Sequence, residues 1–350
     1  MNSTANITVR LAQQSDLVRW QAFVDQTPGA SCMHHAAWYA ILRDAYWVKP
    51  YFLMAEGAAG QVTGLLPLYH SRSPLTGSHL SSLEGGVLSV NTTATAALVA
   101  EARSLRDVIG ARYLQVRGGM VDRPGAKSTP TVHTFIDTCQ PADALWSGVK
   151  KKTRWAIRHA EKADISIEHD ADLAGLEGFY RVYAEHMRDL GTPVMGIDAF
   201  RAMRLHLGSQ RLRLYLVRER QRLIGGMLCI LNNGLWTDYL AIVRPTGETD
   251  FANYLLYWHV IRDAAACGAP TLDLGRSTPD SNVHLFKRKW GGRDVEITYH
   301  FYPAANAQSG DAGLEQLKRR KGLRQRLWSH LPLAVCNRVG PMLRKQLPFI

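Results

Sequence analysis

The sequence predicts an α/β fold made of two copies of one strand-and-helix unit, followed by a basic helical tail. Short apolar runs alternate with the period of strands, and longer ones repeat with the period of helices. The same order of elements occurs in both halves, and positive charge collects after residue 313. With 350 residues and 46% hydrophobic content, the chain is long enough for two domains that each bury a core.

The first half opens with a strand and continues into helices and a β-hairpin. Ser15-Asp16 before Leu17 is typical of a helix start, and the glycines at 57 and 60 predict a hairpin turn. In order, we predict a strand at 6–11, a helix after Asp16, a helix at 35–46, strands at 51–54 and 62–69, a strand near 80–88, a helix at 93–109 and a strand at 113–116.

The second half repeats this order. We predict a strand at 165–168, helices at 173–190 and 198–207, strands at 214–217, 223–231 and 235–243, a helix at 253–267 and a strand at 271–274. The pair Phe52-Leu-Met-Ala-Glu and Gly64-Leu-Leu-Pro-Leu matches Leu214-Tyr-Leu-Val-Arg and Gly226-Met-Leu-Cys-Ile. Two copies of one unit indicate a tandem duplication, with domains at 1–145 and 146–306.

The formal charge of +12 is concentrated in two places. Between Leu314 and Ile350 there are nine Lys or Arg against the single acid Glu315, and a second cluster lies at 150–162. Such patches favour an anionic partner: a nucleic acid such as tRNA, a phosphorylated precursor or an anionic membrane. The tail, 314–350, is predicted as a basic amphipathic helix to residue 330, interrupted by Leu331-Pro332 and broken again at Pro341 and Pro348. We expect it to lie on a bilayer or to dock back on its own domain.

Several classes of protein are disfavoured. The five cysteines are scattered and odd in number, which argues for a reducing compartment. The N-terminus lacks the apolar core of a signal peptide, and no apolar stretch is long enough to span a membrane. We therefore expect a cytoplasmic protein that is peripheral to the inner membrane at most. No histidine or cysteine spacing predicts a metal, and there is no G-x-S-x-G nucleophile motif.

The most informative stretch is Leu272-Asp-Leu-Gly-Arg-Ser277, followed by Phe286-Lys-Arg-Lys-Trp-Gly-Gly292. The alternating leucines predict a strand, so Arg276 and Ser277 lie at its carboxyl end, where α/β folds usually place their chemistry. In the second motif, cations are held between two aromatic residues. Together these features predict an anion-binding site, with an ordinary basic surface loop as the alternative.

Gly-Arg-Ser followed by Phe-Lys-x-x-Trp-Gly resembles the C-terminal signature of the FemABX peptidoglycan aminoacyltransferases. It is closer still to the FemAB-related proteins of exopolysaccharide and exosortase systems. This resemblance implies an α/β fold of two tandem GNAT-like (acyl-CoA N-acyltransferase) domains ahead of the basic tail. It also implies transfer of an acyl or aminoacyl group to an amino group of a cell-envelope or exopolysaccharide precursor.

The resemblance places Lys287 near the donor ester, where its charge stabilises the oxyanion of the reaction. Removal of the amine's proton needs a base, and the candidates are Asp238 with the adjacent Tyr239, and Glu84 on the matching strand of the first domain. The residues expected to bind substrate are Arg276, Ser277, Lys150, Arg154, Arg158, Tyr239, Lys289 and Trp290. Among them, Lys150, Arg154 and Arg158 are spaced by four and share one helix face.

The donor is the open question of the sequence. Acetyl-CoA enzymes of the GNAT type bind the pyrophosphate on a glycine-rich loop that opens a helix. Arg244-Pro-Thr-Gly247-Glu-Thr249 matches this loop only in part, and Glu248 adds negative charge there. We expect no tightly bound cofactor and a donor co-substrate that is aminoacyl-tRNA or, less well matched, acyl-CoA. The alternatives are an acyl-CoA-dependent N-acyltransferase of a small amine or amino sugar, and a non-catalytic membrane-docked scaffold of polysaccharide assembly.

Overall fold

The computed structural model describes residues 7–73, 77–118, 127–244, 251–304 and 321–346. The chain forms two compact units. The first comprises Met1–Thr129, Ile297–Ser329 and Arg338–Ile350, and the second comprises Pro130–Glu296 and His330–Asn337.

The elements follow the predicted order closely. In the first half they are β1 (Thr8–Leu11), α1 (Leu17–Gln26), α2 (Trp38–Asp44), β2 (Lys49–Glu56), β3 (Val62–Ser73), β4 (Gly77–Glu84), β5 (Leu88–Ser89), α3 (Thr92–Val108) and β6 (Tyr113–Arg117). In the second half they are β7 (Lys127–Asp137), α4 (Ala142–Gly148), α5 (Lys151–Ala160), β8 (Ile165–Asp170), α6 (Leu176–Asp189), α7 (Ile197–Leu207), β9 (Leu212–Glu219), β10 (Arg222–Asn232), β11 (Leu235–Val243), α8 (Ala252–Ala266), β12 (Thr271–Ser277), α9 (Asn282–Lys287) and β13 (Arg293–Pro303). The tail holds α10 (Lys321–Ser329) and α11 (Leu333–Gln346).

The first unit has a sheet in the order β1-β2-β3-β4-β6-β13, in which only β4 and β6 run parallel. Helix α3 packs on this sheet. The side chain of Asn91 accepts a hydrogen bond from the Ala94 amide (2.8 Å) and so caps the helix. Ala94, Leu98 and Ala102 recur every four residues and are fully buried, so one face of α3 forms the core of this unit.

The second unit repeats this topology with the order β8-β9-β10-β11-β12-β7, in which only β11 and β12 run parallel. Helix α8 takes the place of α3, with Leu256, Val260 and Ala264 buried at the same spacing. The α/β class and the tandem duplication predicted from the sequence are confirmed.

The last strand of each sheet comes from an unexpected part of the chain. β7 follows β6 in sequence but pairs with β12, from Asp137 opposite Thr271 to Val132 opposite Ser277. β13, which follows β12, pairs instead with β6. The predicted domain limits, 1–145 and 146–306, treat each half as continuous in the chain and stay a prediction.

The two parallel strands of the second unit, β11 and β12, stop pairing partway along their length. The β11–β12 ladder joins Leu235–Thr237 to Thr271–Asp273 and then ends, although both strands continue. At Gly275, with φ of 74°, the register of β12 against β7 also shifts. A β-carbon there would lie 2.8 Å from the carbonyl oxygen of Asp238, so only glycine allows this approach. The candidate site lies where this ladder ends, next to Asp238.

The tail is helical over its described part. The interruption predicted at Leu331-Pro332 lies between α10 and α11. The break predicted at Pro341 is wrong, because α11 continues through this residue. An interior proline removes one backbone donor and crowds the preceding turn at a cost of about 3 kcal/mol, and here the helix nevertheless runs on to Gln346. Residues 314–320 and Pro348 lie outside the described residues. Within the described part of the chain, no helix has the length and apolar character needed to cross a membrane.

We predict that Gly225→Ala destabilises the second unit by on the order of 2 to 4 kcal/mol, because the added methyl has no space. A β-carbon at this position of β10 would lie 2.2 Å from the Ile242 carbonyl oxygen and 2.6 Å from the Val243 Cα. Urea denaturation of both proteins measures the difference.

The matched control is Gly148→Ala in α4, since no atom lies within 4 Å of a β-carbon there. It should be neutral or stabilising by about 1 kcal/mol. Equal stability of the Gly225→Ala variant and the wild type would show that β10 and β11 do not approach as closely as described.

Candidate active site in the second unit

Lys287 carries a positive charge into the interior of the second unit. It is the last residue of α9, which begins where the Ser281 hydroxyl accepts a hydrogen bond from the His284 amide. The Lys287 residue is 5% exposed, and its Nζ donates to the carbonyl oxygens of Gly275 (2.8 Å) and Arg276 (3.0 Å). These carbonyls belong to the bulged end of β12, so this end of the strand and α9 together fix the ammonium.

Asp238 is the acid next to this charge. It follows Thr237, the last residue of β11 that pairs with β12, and it is 9% exposed. Its Oδ2 accepts a hydrogen bond from the Tyr257 hydroxyl on α8 (2.7 Å). Burial raises the pKa of the Asp238 carboxyl from 3.8 to about 6, and the Lys287 ammonium and the Tyr257 hydrogen bond limit that rise. Burial, and then the charge of Asp238, raises the pKa of Tyr257 well above its usual value. The carboxyl therefore titrates close to neutral pH, which suits a proton acceptor.

A second acid holds the bulge of β12 in place. Asp273 accepts a hydrogen bond from the Gly275 amide on Oδ1 (2.8 Å), and its Oδ2 lies 2.9 Å from Nδ1 of His133 on β7. Both side chains are buried. The sequence analysis missed His133 and Tyr257 as members of the site. The β-branched run Thr131-Val-His-Thr-Phe-Ile could have revealed β7, but nothing local pairs it with β12.

Aromatic rings form one wall of the site. Trp290 stacks on Tyr257 with ring centres 5.7 Å apart, and Phe286 meets both rings edge-on. The prediction of cations between aromatic residues is confirmed for Lys289, whose Nζ lies 5.2 Å from the ring centre of Tyr254 and donates to its hydroxyl (2.9 Å). For Lys287 it stays a prediction, and the hydrogen bonds of its ammonium go to the strand carbonyls.

Two predicted substrate-binding residues carry buried polar atoms with no hydrogen-bond partner in the described structure. They are Oγ of Ser277, on a residue 5% exposed, and Nε1 of Trp290, on a residue 2% exposed. Leaving such an atom unpaired costs about 1 to 3 kcal/mol. Both atoms could contact a polar ligand. Arg276 contributes its backbone carbonyl to Lys287, and Tyr239 directs its hydroxyl toward Sδ of Met195 (4.0 Å).

The basic residues at the start of α5 divide between two roles. The helix spans Lys151–Ala160 with Lys150 as its N-cap residue, so the predicted helical spacing is confirmed. Arg154 donates to the carbonyl oxygens of Trp146 (3.1 Å) and Ser147 (3.2 Å), which end α4. Arg158 lies over the Trp146 ring, 5.4 Å from its centre. These two cations hold α4, whereas Lys150 is exposed. Their proposed grip on a phosphate stays a prediction.

The candidate pyrophosphate residue Arg244 is already neutralised by acids of α6. Its guanidinium forms ion pairs with Glu185 and with Asp189, the latter at 2.5 Å. Gly247 and the rest of that loop lie outside the described residues. Of this loop the structure describes only Arg244, and its guanidinium is already paired with two acids.

Glu84, the third candidate base, belongs to the first unit. Its Oε1 accepts a hydrogen bond from the Tyr299 hydroxyl (2.9 Å). In the parallel pair of the second unit, Thr237 lies opposite Asp273, and Asp238 follows it. In the parallel pair of the first unit, Ser81 lies opposite Gln115 in the same way, so Ser82 takes the position of Asp238. Ser82 Oγ accepts from the Arg117 amide and donates to the Leu83 carbonyl (both 2.8 Å). The parallel pair of the first unit thus carries a hydroxyl where the second carries the acid.

The site contains a buried cation, an acid that titrates near neutral pH, and two buried polar atoms that have no hydrogen-bond partner among the described residues. Among the described residues, no group of three or more His, Cys, Asp and Glu side chains is placed to hold a metal ion. The arrangement can polarise a carbonyl group and accept a proton from a nucleophile.

Comparison with known proteins finds one matching domain model and several structures that share the fold. Residues 147–288 match the model of the acetyltransferase (GNAT) domain. A search of curated proteins finds no match. Among solved structures, FemX superposes with a TM-score of 0.65 at 15% identity, covering 89% of this chain and 99% of FemX.

Two further structures share the fold. A tandem GNAT protein from the clavulanic acid biosynthesis pathway gives a TM-score of 0.55 at 13% identity, covering 87% of this chain and 100% of its own. L-PGS from Bacillus licheniformis gives 0.53 at 12% identity, covering 92% and 99%. The tandem GNAT-like fold predicted from the sequence is confirmed.

We predict that the wild type loses stability relative to Asp238→Asn as the pH rises from about 4.5 to about 7.5. With a pKa raised from 3.8 to about 6, the folded state binds more protons than the unfolded state between these values. Stability therefore falls as the pH rises through this window, by on the order of 2 kcal/mol, since about two thirds of the shift, at 1.36 kcal/mol per unit, is lost within it. Urea denaturation of both proteins across the range measures the effect.

The groups that face the Asp238 carboxyl are Lys287, Tyr257, Asp273 and the Cys229 thiol, whose own pKa is raised by burial. Asparagine cannot titrate, so the difference between the two proteins isolates position 238. If the wild type instead became more stable relative to Asp238→Asn as the pH rises, Asp238 would be an ordinary ion-paired aspartate with a lowered pKa.

Proposed function

We propose that this chain, a FemABX-like protein of the GNAT fold, is an N-acyltransferase. It moves an acyl or aminoacyl group onto an amino group of a cell-envelope or exopolysaccharide precursor. The observation that carries the proposal is the buried Lys287 ammonium beside Asp238, at the point where β11 and β12 part. This point lies in the segment that matches the acetyltransferase domain.

Acyl transfer makes three demands that these residues meet. The amine nitrogen bonds to the carbonyl carbon of an ester or thioester, and the carbonyl oxygen becomes negative. A fixed positive charge in a dry environment stabilises that oxygen, which is the role we assign to Lys287. The nitrogen must also lose a proton, and Asp238 accepts it because its pKa of about 6 leaves it ionised at neutral pH. The carbon–oxygen or carbon–sulfur bond of the donor then breaks and restores the carbonyl. The leaving oxygen or sulfur takes up the proton, which returns Asp238 to its ionised form.

The acceptor is proposed as an anionic molecule with a free amine. Trp290 Nε1 and Ser277 Oγ supply a donor and a hydroxyl for its polar groups. Lys150 and the exposed Lys151 and Lys152 add positive charge at the start of α5. A phosphorylated sugar or lipid-linked precursor fits this combination of charge and aromatic surface.

The donor we propose is an aminoacyl-tRNA, in agreement with the FemABX resemblance. GNAT folds in general use acyl-CoA, whose pyrophosphate needs free cations or backbone amides. Here Arg244 is neutralised by Glu185 and Asp189, which weakens such a contact.

Replacing Lys287 should abolish transfer for a chemical reason that can be separated from folding. Lys287→Met leaves the Asp238 carboxylate without its counter-charge, and removing one partner of a buried pair costs about 3 to 5 kcal/mol. The double variant Lys287→Met/Asp238→Asn has neither charge and should recover most of this stability. We expect both variants to lose at least about a hundredfold in kcat/KM.

Lys162→Met, at an exposed lysine just after α5, is the matched control and should keep full activity. Near-normal turnover by the stable double variant would exclude the site proposed here. It would leave a non-catalytic scaffold or a different site as the explanation.

The donor can be identified by the ligand that stabilises the folded chain. We expect charged tRNA to raise the melting temperature and acetyl-CoA or longer acyl-CoAs to have little effect, since only a ligand bound to the folded state stabilises it. Arg244→Gln is the informative variant. A saturable shift with acyl-CoA that disappears in this variant would contradict the tRNA donor and identify an acyl-CoA-dependent enzyme.

A further inference from the structure

Helix α11 has two faces of different character. Cys336 and Gly340 are buried on one side of the helix. On the neighbouring side, Val335, Val339 and Met342 follow one another at spacings of four and three, and they are 40%, 37% and 62% exposed. Residues at this spacing share one helix face. One side of the helix is therefore buried, and the apolar stripe next to that side is exposed to solvent.

Helix α10 adds to the exposed apolar surface of the tail. Leu327 is 65% exposed, next to the exposed Arg326. Apolar side chains scattered singly on a surface need no explanation, but a stripe that follows the helix period on the solvent side does.

The charge around the stripe has one sign. Arg338 is exposed between Val335 and Val339, and the 37 residues from Leu314 to the end hold nine Lys or Arg and one acid. A helix with a basic polar face and an exposed apolar face matches the surface of an anionic bilayer, where headgroups meet acyl chains. A nucleic acid would contact the basic residues, but its phosphates would not bind the apolar stripe.

We propose that α11, with Leu327 of α10, is an interfacial membrane-binding surface that docks the protein on anionic phospholipids. Val335, Val339 and Met342 insert below the headgroups, and Arg338 with the other tail cations contacts the lipid phosphates. The helix lies in the plane of the interface and does not span the membrane, since it has only 14 residues. Docking of this kind would bring the enzyme to lipid-linked acceptors, although it does not depend on the transferase assignment.

The test is co-sedimentation of the full chain with vesicles of phosphatidylglycerol and phosphatidylcholine, and with vesicles of phosphatidylcholine alone. We expect binding only to the anionic vesicles, weakened by salt. Val339→Gln/Met342→Gln should weaken it by on the order of tenfold, and Arg338→Gln by about fivefold. Val339→Trp should strengthen it, because tryptophan favours the interface.

Val108→Gln and Leu205→Gln are the matched controls, since these residues are 80% and 76% exposed on α3 and α7. Both should bind vesicles as the wild type does. Absence of binding to anionic vesicles, or binding unchanged by Val339→Gln/Met342→Gln and by Val339→Trp, would overturn the proposal. Vesicle binding unaffected by Arg338→Gln, together with weaker binding of bulk tRNA by that variant, would identify RNA as the partner and also overturn it.

Discussion

The second unit depends on how it holds one buried positive charge. An ammonium removed from water is tolerated only when hydrogen bonds and an opposite charge compensate for lost hydration. Two carbonyls of β12 and the nearby Asp238 supply this compensation for Lys287. They are available only because the ladder between β11 and β12 ends and because Gly275 permits close approach. The fold and the chemistry are therefore coupled. Where the β11–β12 ladder ends, two carbonyls of β12 are available to Lys287, and Asp238 lies beside the same ammonium.

The duplication makes the specialisation of the second unit visible. Both units have the same strand order and one parallel pair, yet the position after the paired residues is Ser82 in one and Asp238 in the other. A serine satisfied by backbone partners stabilises a sheet, whereas a buried acid beside a lysine costs stability. Costly groups that persist in a fold usually serve a function. This contrast supports the proposed catalytic role of the second unit more directly than overall similarity of fold does.

Sequence periodicity predicted most of the elements, because apolar residues recur with the helix period in α3 and α8 and form short strand-like runs in β2 to β4. The Phe-Lys-x-x-Trp-Gly motif predicted Lys287 and the strand predicted Asp238, and the structure brings these two residues together. Sequence could not show that β7 and β13 pair away from their neighbours in the chain, since that pairing is non-local. It therefore missed the His133–Asp273 contact. Tyr257 belongs to no motif, and only the hydrogen bond from its hydroxyl to Asp238 reveals its place in the site.

The central claim is that the reacting carbonyl lies at the parting of β11 and β12, next to Lys287. The most direct measurement is a crystal structure with a non-hydrolysable analogue of the acyl or aminoacyl donor. The account predicts the acyl carbonyl oxygen at hydrogen-bonding distance, about 3 Å, from the Lys287 Nζ, with the nucleophile's position open toward Asp238. An acyl group bound in the first unit, or one whose carbonyl oxygen is held by other donors, would contradict it.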